Sequence, residues 1–250
     1  MRRTSRTGWA LAAALMMAAC SHAPVAPPAV EAAKAAPQPA FSAEGLTALE
    51  ARMQAYVDDG AVQGIATRLV KDGEVVSELK AGIRRAADQA PVEDDTIWRI
   101  YSMSKPVTGV ALMTLWEEGA FQLDDPITKY FPEFEGMKVF KGLDAAGQPI
   151  LETPARVATV RDLMSHTAGF GYGLRSGDYV NDQFQAKQVF QSPDLAELAT
   201  RVSTIPLMYE PGTTWSYSIS VDLQARLVEV LTGEAAFDYL SEQESLVGKV

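Results

Sequence analysis

The chain has 250 residues, 47% apolar and 22% charged, with 18 glycines and 14 prolines; this excludes a disordered, collagenous or multi-span membrane protein. A net charge of −10 repels phosphates and excludes nucleic acid as a partner. One cysteine and two histidines, His22 and His166, exclude a disulfide framework and a zinc site of clustered His and Cys, and they leave a Ser-His-Asp triad almost no material.

Arg2, Arg3 and Arg6 form a positive N-terminal region, followed by an apolar run, Gly8 to Ala19, too short to span a bilayer at about 1.5 Å per residue. Small residues then lead to the lone cysteine, Met17-Ala18-Ala19-Cys20. This resembles the lipobox of bacterial lipoproteins, with Met17 where that box prefers Leu. The resemblance implies a signal peptide over residues 1–19 and a lipid on Cys20. It also implies a place on the periplasmic side of a bacterial membrane, with Ser21 favouring the outer membrane. The competing reading is an ordinary signal peptide cut at a small-residue site, giving a secreted or soluble periplasmic protein. Residues 21–40 hold five Pro and eight Ala, so residues 20–41 read as a semi-stiff linker.

The body, residues 42–250, opens with a helix from the Ser42 cap to about Asp59, carrying Leu46, Leu49, Met53 and Val57 on one stripe and stopped by Gly60. Gln63–Val70 and Val75–Ala81 read as strands joined by Lys71-Asp72-Gly73-Glu74, a hairpin turn signal. Ser102 to Glu118 reads as one helix stopped by Gly119, apolar nearly all round and therefore expected to be buried. The rest reads as helical pieces joined by long loops. Thr159 caps Val160–His166, Ser192-Pro193 opens a helix, and Ser220 caps Val221–Thr232 before Gly233. These elements predict an α/β lobe over 42–100 and a helical lobe over 101–250.

Two S-x-x-K tetrapeptides occur. Ser77-Glu78-Leu79-Lys80 falls on a strand, where positions three apart face opposite ways. Ser102-Met103-Ser104-Lys105 falls on a helix, where they share a face. A lysine in the first turn of a buried helix opposes the macrodipole and is desolvated, and both effects lower its pKa towards the neutral form a general base needs.

Around the second motif stand Trp98-Arg99-Ile100-Tyr101 and Pro106-Val107-Thr108, then Glu118-Gly119 and Leu123-Asp124-Asp125-Pro126-Ile127. Further on come Val160-Arg161-Asp162-Leu163-Met164-Ser165-His166-Thr167-Ala168-Gly169 and Pro211-Gly212-Thr213-Thr214-Trp215-Ser216-Tyr217-Ser218. Together, over about residues 42–240, these resemble the serine β-lactamase-related family of class C β-lactamases, D-alanyl-D-alanine carboxypeptidases and family VIII esterases, with the esterases nearest. The resemblance implies a β-lactamase/transpeptidase-like α+β fold, an antiparallel sheet lobe beside a helical lobe. It implies Ser102 as acylated nucleophile, Lys105 as its proton acceptor and Tyr217 as the tyrosine exchanging protons with serine and leaving group, with no cofactor or metal. The family's frequent Tyr-x-Asn is Tyr217-Ser218-Ile219 here, which removes the amide that would hold the acylamide of a β-lactam or peptide and favours ester substrates. A literal Tyr179-Val180-Asn181 lies in what reads as a polar loop without the Pro-Gly lead-in and is set aside. His166 reads as a helix-end histidine, favourable when charged.

No Lys-Thr-Gly or His/Trp-x-Gly follows Tyr217, so the family's third motif and one oxyanion donor are expected to be absent, in an apparently truncated chain. Losing such a donor costs about 10²–10³ in rate. The function read from the sequence is an acyl-serine hydrolase acting on small carboxylic esters, detectable but slow. The competing readings are a catalytically impaired, ligand-binding lipoprotein and a β-lactamase or D-Ala-D-Ala carboxypeptidase taking β-lactam-like substrates.

Overall fold

The computed structural model describes residues 41–174 and 176–247; Cys20, the expected signal peptide and nearly all of the linker lie outside them. The chain divides into two compact units, one up to Ile97 and one from Trp98 onward.

In the first unit, Ser42 caps α1, Ala43–Asp58, by accepting the Gly45 N–H at 3.0 Å, and Gly60 turns left-handed beyond it. Antiparallel β1, Gly64–Lys71, and β2, Glu74–Arg85, are joined through Asp72 and Gly73, both at positive φ as a tight hairpin turn demands. β2 runs past the expected end at Ala81 to pair with β3, Ala90–Pro91, whose two residues are too few to show a period. α1 lies on β2, where Ser77 Oγ donates to Glu50 at 2.9 Å. Lys80 pairs with Asp94 and Glu78, so the strand-borne S-x-x-K is split between two unrelated contacts.

The second unit begins with a 3-10 turn, Tyr101–Met103, before α2, Ser104–Glu117. Ser102 therefore sits just ahead of α2 rather than in it. The expectation of all-round burial fails: α2 buries Thr108, Ala111, Leu112 and Leu115, while Val110 stays half exposed and Met103 71% exposed. A hairpin of β4, Val139–Leu143, and β5, Pro149–Glu152, corrects the purely helical reading of this region.

α3, Val160–Met164, starts from a full capping box between Thr159 and Asp162 but stops two residues short of His166, which turns left-handed at φ +57°. α4, Tyr179–Ala186, corrects the loop reading of Tyr179-Val180-Asn181; Asp178 caps it. Asp194, not Ser192-Pro193, starts α5, Leu195–Ser203, because Ser192 Oγ turns back to donate to the Val189 carbonyl. α6, Ser220–Thr232, ends at left-handed Gly233, and Ser220 spends its hydroxyl on Ser218 rather than on a cap. α7, Ala236–Val247, closes the described chain.

The core lies between α2 and α6, with Leu112, Leu163, Phe184, Ile219, Leu223 and Leu227 each nearly or wholly excluded from solvent. No helix among the described residues is long and apolar enough to cross a membrane.

Candidate active site

The second unit brings Ser102, Lys105 and Tyr217 together. Tyr101, at φ +47°, turns the chain into the 3-10 turn and leaves Ser102 exposed at its tip. One helical turn later Lys105 Nζ lies 3.3 Å from Ser102 Oγ. Tyr217 arrives from 115 positions away, its hydroxyl 2.8 Å from Ser102 Oγ.

The path of Tyr217 is set by backbone. Gly212 N–H donates to the Thr167 carbonyl, Ser216 N–H to the His166 carbonyl and Ile219 N–H to the Gly171 carbonyl, at 2.8, 2.9 and 3.1 Å. These bonds lay residues 212–219 along 166–171, and Ile219, fully buried, anchors the far end. Burial of an apolar side chain where the family's Asn would stand leaves no amide at that position to meet a substrate.

The sequence reading missed a second tyrosine. Tyr172 Oη accepts from Lys105 Nζ at 3.3 Å, and the ammonium also sits over the Tyr217 and Tyr172 rings at 4.9 and 5.5 Å from their centroids. Asn181 Oδ1 holds this loop by accepting the Tyr172 and Gly173 N–H groups at 3.0 and 2.9 Å, while the Tyr179 ring stacks on Phe140. The set-aside Tyr-x-Asn thus supports the loop carrying Tyr172. The available signal was a tyrosine between two glycines: Gly173 adopts φ +74° with Phe184 packed where a Cβ would be.

The electrostatics differ from expectation. Burial does lower the Lys105 pKa, but hydrogen bonding to Tyr217 and Tyr172 outweighs it and the net shift is upward. Tyr217 moves the opposite way, held below the usual phenol range by Lys105 first and Ser102 second. The Tyr172 phenol is raised, mainly by burial. His166 is also corrected: burial and the nearby Lys105 charge lower its pKa, so the neutral ring is favoured over the charged helix-end form. On α6, burial raises the Asp222 carboxyl, opposed by the field of Lys105. No group of three His, Cys, Asp or Glu side chains among the described residues is arranged to hold a metal ion.

The site is therefore an exposed serine hydroxyl bonded to a phenol of lowered pKa beside an ammonium, an arrangement suited to moving a proton off serine. Esterase EstB of Burkholderia gladioli is 29% identical to this chain over 214 residues, covering 82% of the chain and 51% of that protein. Protein Rv1367c of Mycobacterium tuberculosis is 33% identical over 198 residues, covering 78% and 48%. The solved structure of simvastatin synthase LovD from Aspergillus terreus superposes with a TM-score of 0.68 at 26% identity, over 81% of this chain and 52% of that one. The chain spans about half the length of these relatives. The beta-lactamase family model matches residues 49–245, and with the β-lactamase/transpeptidase-like arrangement of antiparallel strands and helices, the chain belongs to the beta-lactamase family.

Proposed function

We propose that this protein is an acyl-serine hydrolase whose substrates are small carboxylic esters. The observation that carries the reading is the 2.8 Å contact between Ser102 Oγ and a Tyr217 hydroxyl whose pKa is lowered by the adjacent Lys105. In this mechanism Ser102 Oγ attacks the ester carbonyl carbon while its proton passes to the Tyr217 phenolate. The tetrahedral intermediate collapses, the C–O bond to the alcohol breaks, and Tyr217 returns the proton to the leaving alkoxide. Water then gives a proton to Tyr217 and attacks the acyl carbon; the acid leaves and Ser102 recovers its proton. Lys105 acts as a fixed cation that favours the phenolate, in place of the neutral proton acceptor expected from the sequence.

Two observations favour esters over β-lactams and peptides. Ile219 offers no amide to an acylamide side chain. Phe190, Tyr172, Tyr217, His166 and Trp215 follow one another ring to ring past the serine, a surface suited to apolar acyl and alcohol groups. Relatives named as esterases and acyltransferases are consistent with an acyl-serine step. The lipid on Cys20 and the periplasmic location belong to the same proposal and rest on the N-terminal sequence.

The test is fluorophosphonate labelling read by mass spectrometry, alongside hydrolysis of p-nitrophenyl butyrate. Label is expected on Ser102. Ser102→Ala should abolish both signals, and Lys105→Ala and Tyr217→Phe should each lower hydrolysis by about 10²–10⁴-fold. Hydrolysis that survives Ser102→Ala and Tyr217→Phe would assign the activity to another site.

A further inference from the structure

We propose that His166 is a positioning residue that clamps Tyr217 against Ser102, and that it does so only as the neutral imidazole. The inference deepens the hydrolase reading and rests on it.

Contacts from one residue fall on four successive positions, 215–218, of the segment carrying Tyr217. The His166 carbonyl accepts the Ser216 N–H at 2.9 Å. Its ring Nδ1 accepts the Ser218 N–H at 3.2 Å and lies 3.2 Å from Ser218 Oγ. Between those two anchors, the imidazole stacks on the Tyr217 ring, with centroids 5.2 Å apart and planes 25° from parallel. Trp215 sets its ring edge-on to the same imidazole at 6.1 Å. The residues on both sides of the tyrosine and the tyrosine ring itself are therefore held by His166. Its left-handed backbone, φ +57°, carries the chain out of α3 and into this contact.

The protonation state follows from the bonds. A backbone N–H can only donate, so Nδ1 must keep its lone pair and the ring proton sits on Nε2. Adding a proton to Nδ1 sets two donors against each other at the Ser218 contact. It also places a second cation near Lys105. The groups facing this ring are Lys105 from α2 and Tyr217 from the loop before α6. Tyr172 packs on Tyr217, and the field of Asp222 on α6 reaches Lys105, Tyr172 and Tyr217 without forming a bond to the imidazole. Burial and Lys105 together hold the ring neutral. Acid should open the clamp before it unfolds the unit.

Two variants separate the hydrogen bond from the ring. His166→Asn places an amide oxygen near the Nδ1 position and tolerates the left-handed backbone. His166→Phe keeps a ring and loses the acceptor. Both are checked for folding by thermal unfolding and assayed with p-nitrophenyl butyrate across pH. The Phe variant should lose roughly 10–100-fold in kcat with little change in KM, as expected when a reacting group is misplaced by about an ångström. The Asn variant should recover most of that loss and lose the His166 inflection from the acid side of the profile, leaving the limb set by Tyr217. Wild-type kcat in the Phe variant, or an Asn profile with the same inflections as the wild type, would overturn the proposal. Imidazole ¹⁵N spectra give a readout independent of turnover, and with two histidines in the chain the His166→Asn spectrum assigns the signals. A neutral Nε2–H ring whose shifts respond to Tyr217→Leu supports the clamp; the Nδ1–H tautomer overturns it. A wild type that takes no fluorophosphonate and hydrolyses no ester sinks the hydrolase reading, and the spectrum still decides the clamp.

Discussion

The two units of this chain hold their geometry by different means. Among the described residues up to Ile97 the buried apolar side chains are only Ala81 and Val92, and α1 buries none. What defines that unit is backbone: a cap at Ser42, a turn at Asp72-Gly73, and strands so close at Gly64 and Gly82 that neither has room for a Cβ. From Trp98 onward a continuous apolar core joins α2, α3, α5 and α6, and the Ser102 cluster stands on that core. Backbone chemistry is enough to specify a hairpin and a helix. A serine and a tyrosine 115 positions apart meet because packed side chains bring α2 and the 166–171 segment together and backbone bonds lay residues 212–219 along that segment.

The largest expected effect tests the core-dependent half. Leu227→Ala, at a side chain fully excluded from solvent, should cost about 2–5 kcal/mol in denaturant unfolding. Leu49→Ala, on exposed α1 surface, should stay within about 0.5 kcal/mol. Similar costs for the two leucines would erase the distinction between the units.

The next effect reverses the order of tolerance. Gly82 sits at φ +77°, and an added Cβ would meet the Gln63 carbonyl and the Gly64 backbone that pairs with it. Gly82→Ala should destabilise the first unit by about 1–3 kcal/mol, through strain rather than lost burial. Hydrogen exchange localises the effect: amides of β1 and β2 should lose protection while those of α6 keep it. Unchanged protection in the hairpin would show that the close approach does not limit this sheet.

The same division explains what could be read from the residues in order. Signals that act within a few positions were legible: the Ser42 and Thr159 caps, the Asp72-Gly73 turn, the stops at Gly119 and Gly233, and the placing of Lys105 one turn beyond Ser102. Tyr217 was legible through its resemblance to a family motif, since no local rule ties it to Ser102. Features decided by distant neighbours were not. β3, β4 and β5 are too short for a clear period and exist because partners stand beside them. Val110 and Met103 looked like core from their composition, yet α2 turns Val110 outward and the 3-10 turn ahead of it leaves Met103 exposed. The charge on Lys105 was misjudged because helix position and burial are visible along the chain, whereas the phenols of Tyr172 and Tyr217 are not. His166 looked like an ordinary helix end because its left-handed turn depends on the segment it meets.

The smallest effect concerns ion pairs, and acid separates the units again. In the first unit Arg85 pairs with Asp88, whose carboxyl falls to about 2 under Arg85 and the Ala90 N–H, but the pair lies exposed at the surface. Solvent screens such a pair, and Asp88→Asn should leave the unfolding midpoint unchanged. In the second unit Asp162 is buried. It accepts two bonds from Arg156, at 2.5 and 2.9 Å, and returns the capping bond from Thr159 N–H at 2.8 Å. Burial pushes this carboxyl up, and Arg156 and Thr159 more than offset it, so its pKa lies below the ordinary value. A carboxyl depressed in the folded state stabilises it above the unfolded value, near 3.9, and that contribution is lost as pH falls through the lower folded value. Asp162→Asn keeps one oxygen for Thr159, removes the charge and turns an amide NH2 towards Arg156 and Thr167, so it should cost about 1–2 kcal/mol at pH 7. The gap between variant and wild type should narrow below about pH 4 and close in stronger acid, as the wild-type carboxyl takes up its proton. A gap that stays constant down to pH 2 would mean that Arg156 packs against Asp162 without drawing stability from its charge.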